Sequence, residues 1–321
     1  MKVIYNADKS IRAEIEKISD RPYLSMQYYG DYCIDKYLEE GVCNIEEFCS
    51  FVDKNLVNRK MTLNNKVQGC SAFTACNMEG DFLFARNMDC ECAIPMRIQL
   101  NSNDSYKSLA FLTMAELDWE EDSYDTIEID SKLTLAAPYS PKDGINEYGL
   151  AVACLTDVKA IYPQHNKITL FDETLPRLIL DKAKTVDEAI QLVDNYNLFY
   201  IISPLHFLVA DANGDSAVIE FINGKMVINK KSKDYQIVTN FTLHNNPNHE
   251  GFGRDRYENM ESELKIRHGI ISENDALELL KRNVIPGDEQ WSAVYNLTKR
   301  SVIISFSREY NNGKRIISGY T

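Results

Sequence analysis

Cys70 stands directly behind a glycine, and Arg86 and Asp89 follow it sixteen and nineteen residues later. A thiol attacks carbonyl carbon as its thiolate, and a fixed cation beside it favours that form. Sequence distance is no obstacle if the chain folds back between the two groups. From Gly69 to Asp89, small and apolar residues alternate at period two on both sides of Asn77-Met78-Glu79-Gly80. That pattern predicts two short strands joined by a four-residue turn. Antiparallel pairing then gives thiol, cation and carboxylate one end of a sheet.

No other cysteine has such neighbours. Cys76, Cys90, Cys92 and Cys154 read as small core residues, the usual fate of a lone cysteine. Cys90-Glu91-Cys92 lacks zinc-ligand spacing, and the five histidines form no metal motif. The expectation is no metal and no cofactor. His206, His244 and His249 have no arrangement that recommends them as a base.

The elements around the hairpin follow from periodicity and caps. Helix-spaced apolar residues predict helices over 10–18 and 25–38, and Asn44-Ile45-Glu46-Glu47 is a capping box for a third, ending near Leu56. Residues 1–69 therefore read as helical, with a polar connector from Asn58 delivering the chain to Cys70. After the hairpin come expected strands over 97–100, 108–114 and 133–136, and an acidic loop over 119–130, where six of twelve residues are Asp or Glu. A turn over 143–149 leads into a strand over 150–155. Helices over 170–183 and 186–195 form a pair, the second capped by Thr185 and Glu188. A meander over 206–229 turns at Asn223-Gly224 and is followed by a strand over 236–240. A second helix pair covers 254–267 and 273–282, with Ser272 as a cap. Strands over 291–297, 302–306 and 315–319 close the chain. Sheet, helix pair, sheet, helix pair, sheet is the order of a layered α+β domain over residues 70–321.

Composition excludes several classes. The chain of 321 residues is 44% hydrophobic and 26% charged, and 35 Lys and Arg against 48 Asp and Glu give a formal net charge of −13. Residues 1–69 hold 10 of the cations and 11 of the anions, so the deficit sits in the body of the protein. Such a body repels phosphate backbones, which argues against nucleic acid as a partner. No stretch has the length and apolarity of a membrane span or a signal h-region. A cytoplasmic location is the expectation, with the eight cysteines as free thiols.

Cys70, Arg86-Asn87-Met88-Asp89, the run from Asp143 to Leu150, the run from Asp211 to Ser216, Val238-Thr239-Asn240 and the run from Trp291 to Asn296 occur in a telling order. In this order they resemble the linear-amide C–N hydrolases, the superfamily of bile salt hydrolases and penicillin V acylases and, more distantly, N-acylethanolamine acid amidase and acid ceramidase. The resemblance covers essentially all of residues 70–321. It implies an N-terminal-nucleophile fold, a four-layer αββα sandwich in which Cys70 becomes the first residue after cleavage at Gly69–Cys70. Residues 1–69 would then be a propeptide. A free α-amino group has a pKa near ~8 and accepts a thiol proton, which an amide nitrogen does not. The glycine before Cys70 is read as freeing the backbone for the intramolecular attack.

The resemblance also implies roles. Cys70 is the nucleophile, Arg86 the cation beside it, and Asp89 the carboxylate that orients the freed amine. Asn240 donates to the oxyanion, and Arg256 is a later arginine near the nucleophile. Thr156 departs from the pattern, standing where bile salt hydrolases have asparagine and penicillin V acylases often tyrosine. Its backbone N–H is retained as an oxyanion candidate. Plainer readings stand beside these: an Arg86–Asp89 surface ion pair, and an Asn240 that only satisfies a turn. The activity implied is hydrolysis of a small-molecule N-acyl amide through a thioester. Acyl transfer stays open, as does a non-catalytic module that keeps its N-terminal segment, and so does a homo-oligomer.

Overall fold

Ile11, Ala13 and Ile15 are buried at period two while Arg12 and Glu14 are half-exposed. That is strand chemistry, and it begins a chain richer in strands than its first third suggests. The computed structural model describes residues 1–18, 23–58, 68–90, 95–102, 104–113, 132–287, 289–306 and 314–317. The N-terminal segment forms β1 (Lys2–Tyr5), β2 (Arg12–Ile18), β3 (Tyr23–Tyr29), α1 (Ile34–Glu40) and α2 (Ile45–Val52), the last extended by a π-turn over Asp53–Val57. The Cys70 hairpin is β4 (Gln68–Cys76) and β5 (Phe82–Cys90). Next come β6 (Pro95–Asn101), β7 (Ser108–Thr113), β8 (Asp143–Asn146) and β9 (Ala151–Thr156). A short strand pair, β10 (Thr169–Phe171) and β11 (Asn197–Phe199), brackets α3 (Leu175–Lys182) and α4 (Val186–Val193). The meander β12 (Leu205–Ala210), β13 (Ser216–Ile222) and β14 (Lys225–Lys230) precedes β15 (Gln236–Val238). Then follow α5 (Arg254–Ile266), α6 (Glu273–Lys281), β16 (Glu289–Asn296), β17 (Ser301–Phe306) and β18 (Lys314–Ile317).

Two sheets result. One has ten strands in the order β1-β2-β3-β6-β7-β8-β9-β12-β13-β14, and the other has six in the order β15-β4-β5-β16-β17-β18. Every neighbouring pair in them is antiparallel except β3 with β6, so the larger sheet is mixed. Three apolar cores accompany the sheets. One lies between them and holds Cys70, Met88, Phe111, Leu208 and Trp291. A second joins the other face of the ten-stranded sheet to side chains of α1 to α4. The third joins the other face of the six-stranded sheet to α5 and α6.

The expected helices over 10–18 and 25–38 are overturned in their strand portions. The first is β2. The second is β3 followed by the shorter α1. Ile11, Ile15 and Ile18 are spaced four and three apart, which mimics a helix. In β3, Tyr23, Leu24, Ser25 and Met26 are all buried, so no alternation is visible in the sequence. The predicted strand over 133–136 is a 3₁₀ helix, Lys132–Tyr139, because a short apolar run buried all round carries no period. Asp143 to Asn146 is strand β8 rather than turn, with the turn confined to 147–149. The acidic stretch 119–130 lies outside the described residues, as does the connector over 59–67.

Local signals held. Asn44 Oδ1 accepts from the N–H of Glu47 at 2.9 Å, and Glu47 reaches back to the N–H of Cys43 at 2.8 Å. Thr185 caps α4 through the N–H of Glu188, and Ser272 caps α6 through the N–H of Asp275. Asn223 and Gly224 both take positive φ, as a two-residue hairpin turn requires. All seven described cysteines are free. Among the described residues, no helix is long and apolar enough to cross a membrane.

Candidate active site

The hairpin register sets the site. Cys70 pairs with Met88, Ala72 with Arg86 and Gly69 with Asp89. Since side chains alternate, Cys70, Arg86 and Met88 share the face toward the inter-sheet core. Asp89 belongs to the opposite face, toward α5 and α6. The predicted gathering of thiol, cation and carboxylate is therefore split across the sheet. Thiol and cation sit together, and the carboxylate lies behind the backbone that joins them.

Arg86 is fully buried, and its Nη2 lies 3.1 Å from Cys70 Sγ and 3.0 Å from Met88 Sδ. The same nitrogen donates to the carbonyl of Cys154 at 3.1 Å. Nη1 donates to Asp143 of β8, which crosses from one sheet to the other. Asp143 also accepts from Trp291 Nε1 at 2.9 Å and from the Tyr295 hydroxyl. Burial works against the guanidinium charge, but Cys70 and Asp143 outweigh it and hold the pKa of Arg86 above its ordinary value. The arginine is thus a permanent cation aimed at sulfur. Met88 Sδ, 3.8 Å from Sγ, completes the surroundings of a thiol with no exposed surface.

On the other side, Arg256 of α5 donates from Nη1 to the carbonyl of Cys70 at 2.6 Å and from Nη2 to Asn240 Oδ1 at 3.0 Å. Nη1 is also 3.8 Å from Asp89 Oδ2. Burial lowers the pKa of Arg256, with Asp89 and Cys70 opposing. The N–H of Cys70 donates to Asn240 Oδ1 at 2.8 Å, and Asn240 Nδ2 donates to the carbonyl of Thr156 at 3.0 Å. The structure therefore brings every expected residue within one or two contacts of Cys70. It engages Thr156 by its carbonyl, whereas the expectation concerned its N–H. The surface ion pair between Arg86 and Asp89 is excluded, since both are buried and on opposite faces.

Gly69 is not in a left-handed conformation; it continues β4. A Cβ there would lie 2.0 Å from Cδ1 of Ile285, so a side chain at this position requires the end of Ile285 to move.

Three residues here escaped sequence reasoning. Asp143 was read as part of a turn, and Trp291 and Tyr295 as strand residues without a role. The signal was parity: Trp291, Ala293 and Tyr295 face inward opposite Met88, Arg86 and Phe84. A buried arginine needs an anion, but sequence does not show which acid the other sheet presents. A further group also went unread. His206, expected to be an ordinary histidine, faces Asp157 and Glu220, all three buried. Burial opposes the charge of Glu220, but His206 and the amides of Leu243 and His244 outweigh it and lower its pKa.

A sequence profile of the linear amide C–N hydrolases, choloylglycine hydrolase family, matches residues 70–262. The chain belongs to this family. Among curated proteins, a penicillin V acylase from Pectobacterium atrosepticum is 35% identical over 114 residues. That match covers 32% of this chain and 30% of the relative's length. Among solved structures, the penicillin V acylase from Agrobacterium tumefaciens is similar with a TM-score of 0.53 at 19% identity, covering 74% of this chain and 83% of that one. A variant of the conjugated bile acid hydrolase from Clostridium perfringens gives a TM-score of 0.55 at 18% identity, over 77% and 92%. At such identities these two likenesses concern the fold alone.

Proposed function

We propose that this member of the linear amide C–N hydrolase family is a self-processing cysteine amidohydrolase, cutting a non-peptide amide between an acyl group and a small amine or amino acid. The observation that carries the reading is the buried Arg86 guanidinium 3.1 Å from Cys70 Sγ. An ion pair of that kind stabilises a thiolate. The three cores are read as those of a four-layer αββα sandwich with Cys70 at the edge of its central gap.

In the uncut chain, the Cys70 thiolate attacks the carbonyl carbon of Gly69. The C–N bond to Cys70 breaks, its nitrogen takes a proton, and Gly69 is left as a thioester. Water then releases Gly69 as a carboxylate and frees the thiol beside the α-amine already formed. Asn240, which accepts from the N–H of Cys70, holds the peptide under attack, and Arg256 holds the carbonyl of the next one. Asp89 lies behind the same backbone and orients the amine once it is free. In turnover, that amine takes the thiol proton and hands it to the leaving amine of the substrate, and water hydrolyses the acyl thioester. Freed from the Cys70 amide, Asn240 swings its own amide toward the oxyanion. The backbone N–H of Thr156 is the second oxyanion donor.

The complete burial of Cys70 supports latency of the uncut chain, since no external amide reaches its sulfur. N-acyl amino acids or ethanolamides, penicillin V and conjugated bile salts are the substrate classes to assay. Denaturing intact mass tests the reading. Wild type should give two fragments divided at Gly69–Cys70, and Cys70→Ala a single full-length chain with no hydrolysis. A wild-type chain that stays whole on acidification and with reductant, or a Cys70→Ala chain that still divides there, would refute it.

A further inference from the structure

The group formed by Asp157, His206 and Glu220 belongs to none of the steps above. His206 and Glu220 have no exposed surface and Asp157 has 1%. The imidazole Nε2 lies 2.8 Å from the carbonyl of Thr239. A carbonyl only accepts, so Nε2 carries a hydrogen, and in the neutral ring, the form that binds a metal, Nδ1 presents a lone pair. That lone pair has no hydrogen-bond partner among the described residues. It points between two carboxylates, 3.9 Å from Asp157 Oδ2 and 3.7 Å from Glu220 Oε1. Among the described residues, neither carboxylate is paired with a lysine or arginine.

Two buried carboxylates and a lone pair converge without a cation, an arrangement that repels itself unless positive charge enters. A proton on Nδ1 supplies charge but poor contact, because both separations exceed an N–H···O bond. They suit a metal better. Zinc bonds of about 2.0–2.2 Å to nitrogen and oxygen place neighbouring ligand atoms of a tetrahedron roughly 3.4 Å apart. Here the three ligand atoms lie within 4.8 Å of one another, and the two separations from nitrogen are within a few tenths of that edge. The remaining ring N–H on a backbone carbonyl is the usual support of a metal-bound histidine. Both acids are held as well. Asp157 accepts from Thr242 Oγ1 at 2.8 Å and the N–H of Lys159 at 3.1 Å. Glu220 accepts from the N–H of Leu243 at 2.5 Å, the N–H of His244 at 2.9 Å and Asn229 Nδ2 at 2.6 Å.

We propose that Asp157, His206 and Glu220 form a buried site for a divalent cation of the zinc type, which fixes the frame behind the candidate active site. Asp157 follows Thr156, Thr239 precedes Asn240, and the amides on Glu220 lie three and four residues beyond Asn240. One ion joins the two segments that also meet through the hydrogen bonds from Asn240 to Thr156, at 3.0 Å, and from Thr242 to Asp157, at 2.8 Å.

The test uses the full chain carrying Cys70→Ala, so that neither cleavage nor the nucleophilic thiol intrudes. Chelator-treated protein is reloaded with Zn2+, desalted, and analysed for metal by mass spectrometry. One zinc per chain is expected, together with a higher melting temperature than the stripped protein. Co2+ in its place should give visible d–d bands without thiolate charge transfer. Removing a ligand by Asp157→Asn or Glu220→Gln should weaken binding by at least the about 10–100-fold typical of losing an outer partner. If Glu220→Gln does not fold, Asp157→Asn and the melting shift of the parent chain still decide. Failure of Zn2+ and Mn2+ to bind stoichiometrically to the parent chain would overturn the proposal. So would full stoichiometry in both variants, or a thiolate cobalt spectrum.

Discussion

The Cys70 hairpin and residues 1–57 each add strands to a sheet, the latter together with two helices, yet the molecule uses them differently. Among the buried side chains of the hairpin some carry charge: Arg86 and Asp89, with Asp143 across the gap. In the N-terminal segment they are apolar or aromatic. Tyr37 meets Tyr139, and Phe48 meets Tyr139 and Phe171, with ring centroids 5.2–5.9 Å apart, and Leu24, Met26 and Tyr28 fill the same core. The difference teaches that a segment read as removable is part of the fold's interior, while the strands that look ordinary hold the electrostatics.

The comparison breaks most severely if the N-terminal segment is dispensable. A chain begun at Cys70 lacks three strands of the ten-stranded sheet, leaves the edge of β6 unpaired and uncovers an apolar face. It should aggregate when expressed alone. Soluble, monomeric protein with native-like circular dichroism would show that residues 1–57 are only an attachment.

Two single substitutions, made in the Cys70→Ala background, sharpen the contrast. Phe48→Ala should lower unfolding free energy by about 3–5 kcal/mol through a cavity. Asp143→Asn should cost a similar ~3–5 kcal/mol by leaving Arg86 buried without its anion. Urea titrations measure both. Restored to Cys70, only Asp143→Asn should also abolish cleavage at temperatures where both variants are folded. A Phe48→Ala loss below about 1 kcal/mol would contradict the packed-interior view of the segment.

The smallest effects separate Asn240 from Thr156. On processed enzyme, Asn240→Ala should lower kcat by roughly 10²–10³ with KM little changed, as loss of an oxyanion donor does. Thr156→Ala should leave both constants near wild type, since its peptide groups are the ones engaged. Near-normal turnover by Asn240→Ala would take that residue out of the oxyanion role.

What the sequence disclosed follows range of interaction. Caps at Asn44, Thr185 and Ser272 and the turn at Asn223-Gly224 are decided within four residues, so they are readable. The Cys70 hairpin is readable because each strand has one face on the inter-sheet core and one on α5 and α6, joined by a turn with Gly80 at positive φ. β3 is buried along both faces and pairs in parallel with a strand some seventy residues away, leaving no local trace. Asp143 and the Asp157, His206, Glu220 group are long-range in the same way. Their members come from different strands or, for Asp157, from the residue after one, and only the register between them brings them together. Membership in the amide hydrolase family was legible from the order of the motifs, whereas the splitting of Cys70 and Asp89 onto opposite faces required the pairing itself.

If the chain is cut at Gly69–Cys70 as proposed, the parallel junction of β3 with β6 has a consequence for the life of the molecule afterwards. While Gly69 is joined to Cys70, both partners in that junction belong to one chain, and their meeting during folding is a unimolecular loop closure whose entropic cost grows only slowly with loop length. Once the bond is cut, the same strands belong to separate chains. Any molecule that unfolds must then find its other half at the concentration present in solution, with the translational cost that association carries. The proposed cleavage would therefore turn a reversible fold into one sustained by the slowness of its unfolding, and the persistence of the cut protein would become a matter of rate.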